Sequence, residues 1–222
     1  MADGRCVHRR SNAPEDVATN PRDGAEAVLA STGVDTYQNG VDTFGTLYKV
    51  RTKFRWRPSA DLEIIYDGDA DPDRQLRSPD NVDWADDGRI YAQEDKAEDD
   101  TLTGEPLFGE GAVNQSEAGI VSMRSNGRDV ERIVVLDRGV ALDASLDNPT
   151  LAVDADFGTA GEWESSGIID VSELFGARRG ELFLFDVQAH GLSDQEAFNA
   201  SSRINDGDLV EGGQLLFLEA VD

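Results

Sequence analysis

The densest group of possible metal ligands lies in SPDNVDWADDGRIYAQED, residues 78–95. Asp80 and Asn81 precede one alternating segment, and Glu94 and Asp95 follow the next. The Asp-Asp-Gly between the segments is typical of a turn and predicts a β-hairpin. Because one strand of a hairpin runs out and the other returns, these side chains are expected at the same end. Their oxygens could hold a hard cation, whereas an Asx-turn at Asp80 and Asn81 would explain the same pattern without a ligand.

The remaining acids of this hairpin are assigned to the surface. Asp86 and Asp87 fall in the predicted turn, and Asp83 is expected on the solvated face of the first strand. This division leaves Asp80, Asn81, Glu94 and Asp95 as the candidates for chemistry.

The composition explains why so many acids need no chemical role. The chain of 222 residues has 45 Asp plus Glu against 20 Lys plus Arg, a net charge of −25, and lysine only at 49, 53 and 96. Acid excess with scarce lysine indicates a protein kept soluble in high salt, where cations screen its self-repulsion. Binding to nucleic acid is not expected, because the sequence lacks the basic stripe that would displace phosphate counterions.

Short apolar runs bounded by Gly, Asp, Asn or Pro predict strands along the whole chain. They lie at 27–32, 46–50, 62–66, 89–93, 119–123, 131–137, 181–187 and 212–219. Further turns are predicted at Asp23-Gly24 and Asn126-Gly127. One helix is predicted at 193–203, where Ser193 and Glu196 could form a capping box.

Hairpins at intervals of about 40–60 residues favour a radial all-β architecture, because a propeller blade has four strands in about 40–50 residues. The length would hold about four or five blades, and fewer because long loops are expected at 67–79, 96–117 and 142–166. We therefore predict an incomplete β-propeller over 13–222 after an unstructured tail, 1–12. Open blade edges would invite pairing with another copy of the chain, a homo-oligomer.

Several other classes of protein are disfavoured by the sequence. The single cysteine, Cys6, cannot form an internal disulfide. No apolar run approaches the ~20 residues that span a bilayer, and the N-terminus lacks an apolar signal region, so no membrane association and a cytoplasmic location are expected from the sequence as written. GxSxG, P-loop and GxGxxG motifs of nucleophile elbows and nucleotide sites are missing.

Four segments occur in an order that suggests a known family. They are APEDVATNPRDGAEAVLASTG (13–33), LRSPDNVDWADDGRIYAQEDK (76–96), ESSGIIDVSELFG (164–176), and LFLFDVQAHGL (182–192) with DLVEGGQLLFL (208–218). In this order they make the chain resemble the C-terminal part of PhoX-type alkaline phosphatases and their phytase-like relatives, which are calcium-dependent β-propellers.

The resemblance implies a phosphomonoesterase that acts on phosphate esters through metal ions on the propeller axis, with Ca²⁺ and also Fe³⁺ as the family's cofactors. Carried over to this chain, the implied ligands are Glu15, Asp16, Asp80, Asn81, Glu94, Asp95 and Glu164. Each has an exposed loop acid or a turn residue as its alternative. His190 and Arg77 are the candidates for substrate binding. A hydrogen-bonding role is the alternative for His190, and Arg89 and Arg124 offer the same guanidinium chemistry as Arg77.

The family's enzymes are longer, are exported, and take further ligands from N-terminal blades. We therefore expect this chain to correspond to a C-terminal fragment of an exported phosphatase, periplasmic or extracellular in that case, and inactive alone or completed by a partner chain. Two other functions remain open. One is a single-metal hydrolase of the gluconolactonase or strictosidine-synthase kind, and the other is a non-catalytic calcium-binding propeller fragment.

Overall fold

The computed structural model describes residues 14–34, 42–54, 56–95, 106–137, 152–154, 163–194 and 210–220, with the backbone alone for 152–154, 190–194 and 210–212. In these ranges it contains three sheets, each of four strands and all paired antiparallel. Sheet 1 has the order β1-β2-β3-β4. Its strands are β1 Pro14–Thr19, β2 Glu26–Ser31, β3 Thr46–Lys53 and β4 Ser59–Asp67.

Sheets 2 and 3 continue the series. Sheet 2 consists of β5 Pro79–Trp84, β6 Arg89–Glu94, β7 Gly119–Arg124 and β8 Glu131–Val135, again in chain order. Sheet 3 has the order β10-β11-β12, with β9 paired to the far end of β11. Its strands are β9 Ala152–Asp154, β10 Trp163–Asp170, β11 Leu182–Asp194 and β12 Val210–Glu219, and the short helix α1, Ser172–Phe175, follows β10.

The sheets pack face to face through two apolar clusters. Between sheets 1 and 2, Val28 and Leu47 meet Val82, Ile90 and Met123, all nearly inaccessible to solvent. Each such side chain contributes about 1.5–3 kcal/mol when fully buried.

Between sheets 2 and 3 a second cluster joins Tyr91 and Ile120 to Phe183, Phe185 and Val187. The rings of Tyr91 and Phe183 lie 4.3 Å apart. Sheet 2 is thus covered on both faces, as expected for the middle blade of a propeller segment.

One strand of each sheet lies nearest to the neighbouring sheets, and these inner strands are β1, β5 and β10. β1 lies against β5, and β5 lies against β10. Side-chain oxygens tie these inner strands together: Asp16 Oδ2 accepts from Val82 N at 3.0 Å, and Asn81 Oδ1 accepts from Gly167 N at 2.7 Å. Asp83 Oδ2 accepts from Asp170 N at 2.8 Å. The described chain is therefore all-β, with three radiating sheets consistent with part of a β-propeller.

The predicted hairpin at 78–95 is confirmed. Ala85 N donates to Arg89 O across the turn, and Gly88 has the positive φ of 93° that glycine accommodates without strain. Pro79 pairs with Glu94, so the ends that carry the candidate ligands do lie together.

Three expectations from the sequence are wrong. The predicted loop at 142–166 contains β9 and the first four residues of β10. Ser193 and Asp194 belong to β11 and pair with Val153 and Ala152, so a helix does not begin at Ser193. The rest of the predicted helix, the tail 1–12 and Cys6 lie outside the described residues. Asp83 is not on a solvated face, because sheet 3 packs over it. No helix within the described ranges is long and apolar enough to cross a membrane.

Asp83 supplies a test of the packing between sheets 2 and 3. Burial, with Asp170 and Asp86 nearby, raises the pKa of Asp83 to about 6, above the ordinary value of about 3.9. Between these values the folded state holds a proton that the unfolded state has released, so this group's contribution to stability falls as pH rises from about 4 to 6. Asp83→Asn keeps an oxygen for Asp170 N–H and removes the titration. We expect the variant's free energy of unfolding, relative to wild type, to increase between pH 4 and 7 in urea titrations with chelator. Parallel pH profiles would contradict the burial of this carboxyl group.

Candidate metal centre

Three carboxylates converge where sheet 2 meets sheet 3. Asp80 of β5, Asp95 directly after β6 and Glu164 of β10 each offer an oxygen, and these oxygens lie within 4.8 Å of one another. Glu164 is buried, and Asp80 and Asp95 are partly buried. Ligand oxygens on opposite sides of a Ca²⁺ ion, each 2.3–2.6 Å from it, are at most about 5 Å apart. The group therefore has the size of a calcium coordination shell.

A β-bulge aims the side chains at the start of β5. The register of β5 with β6 shifts between Pro79 and Val82, so Asp80 and Asn81 occupy the extra length. Asn81 points to β10, where its Oδ1 accepts from Gly167 N and Ser166 Oγ. Asp80 joins the carboxylate group. The bulge thus gives two adjacent residues two different tasks.

β1 repeats this local structure. Its register with β2 shifts between Pro14 and Val17, which places Glu15 and Asp16 in the corresponding bulge. Asp16 uses both oxygens on backbone N–H groups, those of Val17 and Val82. Both acids still lie close enough to act electrostatically on Asp80.

The electrostatics of Asp80 indicate a site that favours a cation. Burial, then the charges of Glu164, Glu15 and Asp16, raise the pKa of Asp80 to about 6. Every charge in that set is negative. A cation held among these oxygens would offset the repulsion that shifts the pKa, which is the usual arrangement in sites for hard metal ions.

Glu94 is adjacent to Asp95 but has a different role. Its carboxylate is fully buried and accepts from Arg77 N, Nε and Nη2, from Gly119 N, and from Arg132 Nη1 and Nη2, at 2.5–3.3 Å. These donors come from the loop before β5, the start of β7, and β8. The carboxylate therefore joins three separate parts of sheet 2.

Arg77 is the main partner of Glu94. It is fully buried, it donates to Leu107 O and Asn114 O at 3.0 and 2.6 Å, and its guanidinium stacks on the ring of Phe108 at 3.9 Å. Burial lowers the pKa of Arg77, and the charge of Glu94 opposes that shift. The side chain orders the loop 106–116 and is enclosed by protein on every side.

The buried pair also fixes the position of the carboxylate group. Asp95 N donates to Ser78 O at 2.8 Å, so the residue after Glu94 is bonded to the residue after Arg77. Ser78 N in turn donates to Phe44 O, in the loop before β3, at 2.9 Å. Asp80 and Asp95 thus lie on two backbone segments that the Glu94–Arg77 pair holds together.

The structure divides the residues proposed from the sequence into three groups. It brings together Asp80, Asp95 and Glu164, and it places Glu15 and Asp16 near them. Asn81 links β5 to β10, and Glu94 binds Arg77 away from solvent, so we place Asn81 and Glu94 outside the metal-binding group. Arg77, which was proposed for substrate binding, is fully buried. The backbone of His190 belongs to β11, and its side chain lies outside the described residues.

Arg132 was not singled out by the sequence. Its Nη1 and Nη2 bind Glu94, and Nη2 also donates to Gln75 O at 2.9 Å. A lone arginine in an alternating strand gives no sign of such a partner, because the contact depends on how β8 packs against the loop before β5.

Comparisons with known proteins give limited matches. No family model matches the sequence, and no match was found among curated proteins. Among solved structures the chain is similar to Pseudomonas fluorescens PhoX in complex with vanadate, a transition state analogue, at 12% sequence identity and a TM-score of 0.49. The match covers 95% of this chain and 34% of that one, so this chain spans about a third of the length of that structure.

Glu94→Gln tests the role of the buried pair. The substitution leaves the Arg77 charge buried without its counter-charge, which costs about 3–5 kcal/mol in comparable cases. We expect the free energy of unfolding, measured with urea, to fall by that amount. Glu173→Gln is the matched control, since Glu173 pairs with Arg179 on the surface, where such pairs contribute about 1 kcal/mol or less. Equal effects of the two substitutions would contradict the central position of Glu94.

Proposed function

We propose that Asp80, Asp95 and Glu164 bind a hard divalent cation of the calcium type, and that the domain serves a metal-dependent phosphomonoesterase. The observation that carries this proposal is the convergence of the three carboxylates within 4.8 Å. They come from two neighbouring sheets, so their meeting depends on the packing of the blades and is not a consequence of acidic composition alone.

The donor set suits a hard cation. All three side chains offer oxygen, and Ca²⁺ takes six to eight oxygen ligands in flexible geometry. Fe³⁺ is the second ion that we propose, on the family resemblance of the sequence. Asp16 would add negative charge without being a direct ligand, since both of its oxygens are engaged with backbone N–H groups. Glu15 lies close enough to act electrostatically on Asp80 and is a further candidate ligand.

Phosphate chemistry at this position requires a cation. The carboxylates alone would repel a phosphate ester, whose charge has the same sign. A bound metal ion supplies the positive charge that binds a phosphate and stabilises its transferring oxygens. The chain's own part is to hold the oxygens of Asp80 and Asp95 in place through the bulge in β5 and the buried Glu94–Arg77 pair, while the packing of β10 against β5 brings Glu164 to them. The choice of phosphate esters over other substrates is supported by the ordered segments at 13–33, 76–96, 164–176 and 182–192 with 208–218.

A single-metal hydrolase of lactones is the second candidate. Among the His, Cys, Asp and Glu side chains that the structure describes, Asp80, Asp95 and Glu164 form the one group of three whose ligand atoms lie within 4.8 Å of one another. One ion per chain favours this alternative, and several ions favour phosphoester chemistry.

Cation binding is tested by titrating metal-free protein with Ca²⁺ at high salt in a calorimeter. Asp80→Asn and Glu164→Gln each remove one charge from the group, and we expect each to weaken binding about tenfold or more, equivalent to about 1.4 kcal/mol. Asp61→Asn is the control, because Asp61 is exposed on β4 and pairs with Lys53. Unfolding curves in chelator would show that Asp80→Asn remains folded. Unchanged affinity in both variants would refute the site.

The activity needs a separate measurement. We expect hydrolysis of p-nitrophenyl phosphate at high salt with Ca²⁺, alone or with Fe³⁺, and its loss in chelator and in Glu164→Gln. The same samples should be given a sugar lactone. Turnover of the lactone alone would favour the single-metal hydrolase. Intact Ca²⁺ binding without turnover of either substrate would defeat the enzyme and leave a calcium-binding propeller segment.

A further inference from the structure

Sheet 1 presents an apolar face on the side away from sheet 2. Val17 lies opposite Leu29, Leu29 opposite Tyr48, and Tyr48 opposite Ile64, so all four side chains share one face. Tyr48 is buried and Leu29 half-buried, and Ile64 is 38% exposed. Leu62, two residues before Ile64, belongs to the same face. Val17 and Leu62 are 59% and 51% exposed. We call this surface the open face of sheet 1.

Sheet 3 presents a matching surface on the side away from sheet 2. Ile169 lies opposite Leu184, and Leu184 opposite Phe217. Leu215 is on the same side and is 71% exposed, and Phe175 of α1 packs edge-on against Phe217 at 5.5 Å between ring centres. We call this surface the open face of sheet 3. Large exposed apolar patches of this kind usually mark a site of interaction.

The chain itself shows what such faces bind. The other face of sheet 1 packs on sheet 2, and the second face of sheet 2 packs on sheet 3. The open face of sheet 1 therefore corresponds to the face of sheet 2 that sheet 1 covers, which is the face toward the preceding sheet. The open face of sheet 3 corresponds to the face of sheet 2 that sheet 3 covers, which is the face toward the following sheet. One chain thus carries both halves of a further sheet-to-sheet contact of the type that it already makes twice.

We propose that two copies of this chain associate head to tail, with sheet 3 of each copy packed on sheet 1 of the other, to close a ring of six sheets. Head-to-tail contacts make closed rings when the rotation closes and open filaments when it does not. Propellers close with about four to eight blades. The described residues of one chain form three sheets, so two copies give six of these sheets and three copies give nine. Two is the number of copies that falls within this range.

Closure would place two metal groups around one axis. The inner strands β1, β5 and β10 lie side by side, and Asp80 and Glu164 are near the starts of β5 and β10. A two-fold axis along the ring would put both copies of the Asp80, Asp95 and Glu164 group at the same end of the central channel. The association itself depends on the apolar faces and not on metal binding.

The net charge sets the conditions for association. Each chain carries a formal charge of −25, so two chains repel each other at low salt. Salt screens this repulsion and strengthens the burial of apolar surface. The fraction of dimer is therefore expected to rise between 0.1 M and 2 M KCl.

Light scattering after size exclusion, at 2 M KCl, tests the proposal. Wild type is expected at twice the chain mass of 24.1 kDa. Leu215→Glu, on the open face of sheet 3, and Leu62→Glu, on the open face of sheet 1, should each give monomers. Val113→Glu is the matched control, because Val113 is 55% exposed in a loop of neither face, and it should remain a dimer. Circular dichroism of each variant would show that the fold is retained.

A mixture of the two variants separates head-to-tail contact from the alternatives. Each variant keeps one intact face, so an equimolar mixture of Leu215→Glu and Leu62→Glu should recover dimer through a single contact, at higher protein concentration than wild type. If either Leu215→Glu or Leu62→Glu alone remained a dimer, that result would overturn head-to-tail packing. Filaments or larger rings would overturn closure at two copies. A monomeric wild type at all concentrations and salts would overturn the proposal and assign the open faces to blades from another polypeptide.

Discussion

The buried carboxylate of Glu94 is the interaction on which the middle of this structure depends. It binds Arg77 before β5, Gly119 at the start of β7, and Arg132 in β8. The side chains of Glu94 and Arg77 are fully buried. Buried ion pairs add little stability over well-packed apolar residues, but removing one partner is costly. Here the pair determines where the residues beside it lie, since Asp95 follows Glu94 and Ser78 follows Arg77. The candidate metal centre therefore inherits its geometry from a contact that is not part of it.

Arg77 is fully buried, whereas other arginines, such as Arg124 and Arg179, pair with acids on the surface. Arg74 resembles Arg77 in its contacts, since its Nη1 donates to the carbonyl oxygens of Gly68, Asp69 and Asp71, and its guanidinium stacks on Phe44. These cations order loops that have no regular secondary structure. Around Asp80, by contrast, the charges that raise the pKa all belong to carboxylates. Arg74 and Arg77 thus order loops by binding their carbonyl oxygens, whereas the acids of the inner strands concentrate negative charge that suits a metal ion.

The hairpin at 78–95 was predictable from the sequence, whereas the strand at Ser193 and the contacts between sheets were not. Turn chemistry at Asp86-Asp87-Gly88 correctly placed Asp80 and Asp95 at the same end of a hairpin, because that inference needs only the antiparallel geometry. Glu94 and Asp95 could not be told apart in this way. The difference arises because Glu94 is paired in β6 and turns into the sheet's interior, where Arg77 and Arg132 meet it from distant parts of the chain. Asp83 was assigned to solvent because alternation cannot reveal that sheets 1 and 3 cover both faces of sheet 2. Glu164 came from family resemblance, and only the packing of sheet 3 shows which acids it meets.

The central claim is that Asp80, Asp95 and Glu164 share one hard cation, and anomalous diffraction tests it most directly. Crystals grown at high salt and soaked in Mn²⁺, which prefers the same carboxylate oxygens, would be measured at the manganese absorption edge, with a parallel soak in Ca²⁺. The account predicts an anomalous peak in contact with oxygens of all three side chains and its replacement by calcium density in the second crystal. A peak elsewhere, or three carboxylates that separate from one another and hold no ion in either soak, would contradict it.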